Sequence, residues 1–170
     1  MMTSETADRI PEKWSGKRAV PESELYSTRY RAVALDEEIK VYNGAGCLPV
    51  KNAVSFDIMS NSFSSVDMIV AAVLSEVLLC IRGEFLRRQE DISDLEGRAK
   101  LDIANPLAAV GVRGIDGISL IEGIELDIYL FTFLDEEEAR ESIDKALQRA
   151  ICYQSLKKAF PISLRLSFAE

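Results

Sequence analysis

The chain has 170 residues, 48% of them hydrophobic, enough to close one sizeable core and so to be read as a single domain. Its net charge of −8 weighs against a nucleic-acid partner, because affinity for a phosphate backbone comes from Lys and Arg, and no DNA or RNA role is assigned. It contains no histidine, which excludes a Ser-His-Asp or Cys-His pair, an imidazole base and a His-containing zinc site, and leaves chemistry to thiols, carboxylates, amines and guanidinium groups.

Residues 1–25 read as a flexible N-terminal arm rich in Ser, Thr, Glu, Lys and Arg, with Pro11 and Pro21, and residues 26–170 as the folded domain. No basic stretch followed by an apolar run opens the chain, so the expected compartment is the cytoplasm. Thr28 to Leu35 alternates as a strand, and Asp36-Glu37-Glu38 turns it into a second at Ile39 to Tyr42, a hairpin with Arg29 and Arg31 on one face. Asn43-Gly44-Ala45-Gly46 ends the pair, Cys47 follows in a loop, and a third strand is expected at Ala53 to Ile58.

Ser64 and Asp67 form a capping box that opens a helix running from about Ser65 to Arg88. From Met68 to Ile81 it is apolar on every face, so it must be sheathed by protein or lipid. The run is shorter than the roughly 20 uninterrupted apolar residues a bilayer requires, and Asp67, Glu76 and Arg82 bracket or break it. A central core helix, and no membrane role, is expected.

Gly97 to Ala104 alternates as a half-exposed strand that Asn105-Pro106 closes. The following Gly111, Gly114 and Gly117 lie between strands and open no helix, so they are not a dinucleotide fingerprint. A long strand is read at Ile118 to Phe133, with Ile118, Leu120, Ile124, Leu126, Ile128 and Leu130 on one face. Asp135 then caps a second helix, with Glu138 in the capping-box position, whose buried stripe is Ala139, Ile143, Ala146, Leu147, Ala150 and Ile151 and which Cys152 ends. After a turn from Tyr153 to Ala159, Ile162 to Phe168 forms the last strand, completing an α+β order.

The three cysteines are spaced too irregularly for a disulfide framework. Cys80, among Leu78, Leu79 and Ile81, is either simple packing or a reactive thiol, and Cys47 is expected to have no chemical role. Glu76, an acid inside an apolar helix, is either a pocket acid or base or half of an ion pair, since an unpaired buried carboxylate is costly.

Two stretches resemble the OsmC/Ohr family, the osmotically inducible and organic-hydroperoxide-resistance proteins. Asp67-Met68-Ile69-Val70-Ala71-Ala72-Val73-Leu74-Ser75-Glu76 is similar to the family's helix motif leading to a reactive cysteine, and Ala150-Ile151-Cys152-Tyr153-Gln154-Ser155-Leu156 to its Cys-Pro-Val-Ser-x-x-Leu segment. The resemblance covers about residues 27–169 and implies curved antiparallel sheets around a long central helix, in an intertwined homodimer. It also implies a peroxidase in which one thiolate attacks a hydroperoxide, a second cysteine resolves the sulfenic acid as a disulfide, and a small dithiol recycles it without metal or organic cofactor.

This chain departs from the pattern. Glu76 occupies the attacking position, and Tyr153-Gln154 stands where Pro-Val is commoner. Cys80 lies one turn further along the same helix face, about 6 Å at roughly 1.5 Å per residue, so Cys80 and Cys152 preserve a two-cysteine arrangement. The family's pocket arginine comes from the N-terminal hairpin, where Arg29 and Arg31 stand, although alternating arginines there also fit a solvated face. Two functions follow as expectations: a thiol peroxidase using Cys80 and Cys152, or a non-peroxidatic dimer binding an apolar or anionic small molecule with Glu76 and an arginine as polar contacts.

Overall fold

The structure is a computed structural model describing residues 28–35, 38–44, 46–57 and 60–169. The expected arm at 1–25 and the turn residues Asp36 and Glu37 lie outside the described residues.

Among the described residues, two three-stranded sheets and four helices make an α+β fold. The first sheet joins β1 (Arg31–Ala34), β2 (Ile39–Asn43) and β3 (Gly46–Val50) in that order, all antiparallel. The hairpin is as expected, but the chain after it is not. Cys47 lies in β3 opposite Tyr42, not in a loop, and Ala53 to Asp57 form no strand. Gly44, at φ 55°, supplies the left-handed turn that folds Cys47-Leu48-Pro49-Val50 back onto β2, and Pro49 is tolerated because β3 is an edge.

Helix α1 (Ser65–Arg88) has the predicted bounds. The Ser64 hydroxyl accepts the Asp67 N–H at 3.2 Å, while the Asp67 carboxylate accepts the Ser64 N–H at 2.9 Å. Val73, Val77, Ile81 and Phe85 recur on one fully buried stripe. The opposite side is not sheathed by the described residues, with Leu79 64% and Leu86 75% exposed.

The second sheet orders β4 (Ile92–Ala104), β5 (Leu120–Thr132) and β6 (Ile162–Phe168). β4 begins at Ile92 rather than Gly97, because a bulge between Ser93 and Glu96 and the left-handed Asp94 break the alternation there. A short helical turn, α2 (Pro106–Ala109), starts the connection to β5. The sheet is mixed rather than wholly antiparallel. After β5, α3 (Glu136–Leu147) and α4 (Ile151–Leu156) carry the chain back so that β6 runs parallel to β5, as such a crossover requires.

Ile124, Leu126, Ile128 and Leu130 are buried as their alternation demands, but Ile118 and Leu120 are 78% and 59% exposed. A register shift between Asp102 and Ile103 leaves Glu122 without a partner on β4, so beyond it Ile121 packs against the core and Leu120 turns to the other face. Asp135 caps α3 by accepting the Glu138 N–H at 2.9 Å. Ala139, Ile143, Ala146, Leu147 and Ala150 are buried as predicted, whereas Ile151 is 75% exposed. The backbone turns extended at Ala150 and a new helix starts, so Cys152 sits inside α4 instead of ending the second helix, and the expected turn from Tyr153 is largely helical. One core joins α1, the α3–α4 pair and the inner face of β4–β6. Among the described residues, no helix is long and apolar enough to cross a membrane.

Candidate functional site

The site lies where α1 faces the α3–α4 junction. Glu76, Cys80, Glu84 and Arg87 succeed one another at helical spacing along one side of α1, and Arg149, Cys152 and Tyr153 approach them from the junction.

Glu76 is half-buried, and of the two expectations for it the ion pair is not the one observed: Oε2 accepts the Tyr153 backbone N–H at 3.1 Å. The reason lies in α4. Ala150, at its N-cap, has no side-chain oxygen, so the first-turn N–H groups need an acceptor from elsewhere, and the Glu76 carboxylate supplies one at the positive end of the helix. The negative carboxylate also acts on the nearby Cys152 thiol.

Both thiols are therefore poorly ionised. Burial and then the Glu76 charge push Cys80 above its ordinary value, against a downward pull from Arg87 and Arg149. Burial and then the Glu76 charge push Cys152 up as well. Cys80 and Cys152 are both half-buried free thiols, and Cys47 is an exposed one on β3.

One helical turn beyond Cys80, Glu84 is only 6% exposed. Its Oε2 accepts from Arg87 Nε at 3.2 Å and Nη2 at 2.9 Å, and also from Arg149 Nη1. The hydrogen bond from Arg87, joined by that from Arg149, holds the Glu84 carboxyl below the usual carboxylate range in spite of its burial. A cavity of about 430 Å³ opens over this face, lined among others by Glu76, Leu79, Cys80, Gly83, Arg87 and Arg149.

The structure thus brings together Glu76, Cys80 and Cys152. It does not bring Arg29 or Arg31 to them: both are exposed at the start of the first sheet and neither lines this cavity. The cations at the site are Arg87 and Arg149, which the sequence reading missed along with Glu84. An acid inside an apolar helix was the available signal for Glu84, as it was for Glu76, and Arg87 three residues on is its natural partner. A larger hollow of about 1010 Å³ lies on another side of α1 against β4, lined by Phe56, Phe63, Leu74 and Leu78. It includes none of the predicted site residues; of its charged groups, Asp67 is engaged in the helix cap and Arg98 in an ion pair with Glu96.

By sequence, no protein-family model and no curated protein matches this chain. Solved structures do match in fold. An OsmC-like protein from Mycoplasma pneumoniae is similar with a TM-score of 0.67 at 13% identity, over 85% of this chain and 99% of that one. An OsmC-like protein of unknown function from Vibrio cholerae is similar with a TM-score of 0.63 at 7% identity, over 84% of this chain and 100% of that one. An organic hydroperoxide resistance protein from Elizabethkingia anophelis is similar with a TM-score of 0.58 at 15% identity, over 86% of this chain and 97% of that one. The α+β fold of this chain is the OsmC-like fold. At such low identity it is a divergent example, shared with proteins described as OsmC-like and as organic hydroperoxide resistance proteins.

Proposed function

We propose that the protein is a non-peroxidatic member of the OsmC/Ohr group that binds a small molecule in the cavity between Glu76 and Arg149, and that it acts as a homodimer. The observation that carries this reading is the Glu76 carboxylate set beside both thiols, where it disfavours the thiolate that attack on a peroxide requires. Efficient cysteine peroxidases need the opposite electrostatics. The cavity offers an apolar wall at Leu79 with polar groups at both ends, the usual character of a small-molecule site. No metal or organic cofactor is invoked.

A second reading rests on one observation, the pull of Arg87 and Arg149 toward ionisation of Cys80. In it, the Cys80 thiolate attacks the O–O bond of a hydroperoxide, the alcohol leaves and the sulfur becomes a sulfenic acid. The Cys152 thiol then displaces water to give a disulfide, which a small dithiol reduces back to two thiols.

Treatment of the full chain with one equivalent of an organic hydroperoxide separates the two. All three free thiols should stay titratable and the mass unchanged under the first reading. Rapid loss of the Cys80 and Cys152 thiols with a disulfide between them would overturn it in favour of the second.

A further inference from the structure

The Glu84 end of the cavity holds more positive charge than its own carboxylate can use. Arg87 and Arg149 together carry two positive charges against the single negative charge of Glu84, so the cluster keeps one net positive charge. Glu84 engages Arg87 through Nε and Nη2 and Arg149 through Nη1, whereas a guanidinium has five N–H donors. Both arginine side chains are 53% exposed and both line the cavity, so their remaining donors have room to meet a ligand there. The buried carboxylate fixes the two guanidinium groups side by side, an arrangement suited to the planar two-oxygen face of a carboxylate. Gly83 keeps the floor between Arg87 and Cys80 low: a Cβ there would meet only Arg87 Nη1, at 3.6 Å.

We infer that Arg87 and Arg149 form the anion-recognising end of the cavity, and that the ligand class is a small organic monocarboxylate whose stem lies over Gly83 toward Cys80 and Leu79. The negative Glu76 at the other end of the cavity sets the direction: the anionic group seats on the arginines and the uncharged part lies toward Glu76. This assignment rests on the cavity being a small-molecule site, as proposed above, and adds the ligand's charge and orientation.

Cys80 makes the inference testable, because it lines the cavity between the two ends, while exposed Cys47 on β3 serves as an internal reference. Iodoacetate and iodoacetamide alkylate thiolates by the same displacement, forming a carbon–sulfur bond with loss of iodide, and differ in that one carries a carboxylate. Labelling of the full chain is followed peptide by peptide by mass spectrometry. The ratio of Cys80 to Cys47 labelling should be about fivefold higher for iodoacetate, the effect of roughly 1 kcal/mol from a half-exposed charge-assisted contact. Arg149→Gln should collapse that preference and Arg140→Gln, on the exposed side of α3, should leave it intact. In the unsubstituted protein butanoate should slow iodoacetate at Cys80 and butyramide should not, a readout independent of any effect of Arg149→Gln on folding. An equal ratio for the two reagents, or butyramide protecting as well as butanoate, would overturn the anion assignment while the cavity reading stands. If neither reagent labels Cys80 even at a pH high enough to ionise its raised thiol, the cavity admits no small molecule and both fall.

Discussion

The carboxylate at position 76 satisfies a helix that cannot cap itself, and the same charge opposes ionisation of the two thiols beside it. Glu76→Gln separates these roles, since an amide oxygen still accepts the Tyr153 N–H but the charge is gone. The alkylation–pH profiles of Cys80 and Cys152 should move to lower pH, and that of Cys47 should not; profiles that stay in place would leave burial as the sole cause of the raised values. Stability follows with a definite sign. Folding raises both thiols above the ordinary 9.0, so their contribution is complete below that pH and is lost as pH rises through the folded values. Alkaline thermal melts should therefore fall less steeply for Glu76→Gln. Glu84, depressed by its arginines, works in the other direction and loses its contribution as pH falls through its lowered value.

Among the elements, α1 packs closely on β4 at Gly97. A Cβ at Gly97 would stand 2.8 Å from Leu74 Cδ1 and 3.2 Å from both Leu78 and Ile128 methyls, so Gly97→Ala displaces these side chains from their packing. Overpacking of this kind costs about 1–3 kcal/mol, to be read as a lowered midpoint in urea unfolding. The bounds of α1 and β6 could be read from the chain because each is marked locally, α1 by the Ser64–Asp67 box and β6 by strict alternation after Pro161. β3 could not, because Gly-Cys-Leu-Pro-Val has no alternation and carries a proline. Nor could the break between α3 and α4, where Ala150 turns extended without a glycine or proline to mark it. At the site, Glu76, Cys80 and Cys152 were found through motif position, whereas the pairing of Arg149 with Glu84 is tertiary and has no local signature.

For the molecule as a whole, the uncovered apolar surface is the main argument about assembly. In the first sheet Val50 alone is buried among the strand residues, while Leu35, Ile39 and Leu48 are 41–49% exposed, and α1 turns Leu79 and Leu86 outward. A three-stranded sheet that the described residues leave this exposed is marginal in water, and a second copy is the expected cover. Sedimentation should give about twice the 18.9 kDa chain mass, and Leu79→Glu with Leu86→Glu should shift it toward the monomer. A wild-type monomer persisting at micromolar concentration would refute the homodimer.

The parallel pairing of β6 with β5 has a consequence in time. β4 and β5 are neighbours in sequence and can zip together early, but β6 must wait until α3 and α4 have formed and swung back across the sheet, a non-local closure of the kind that slows folding. Arg149, Cys152 and Tyr153 all ride on that crossover. The cavity is therefore a late event on the folding path: until the crossover settles against α1, Glu76 has no helix to cap and Glu84 lacks its second arginine.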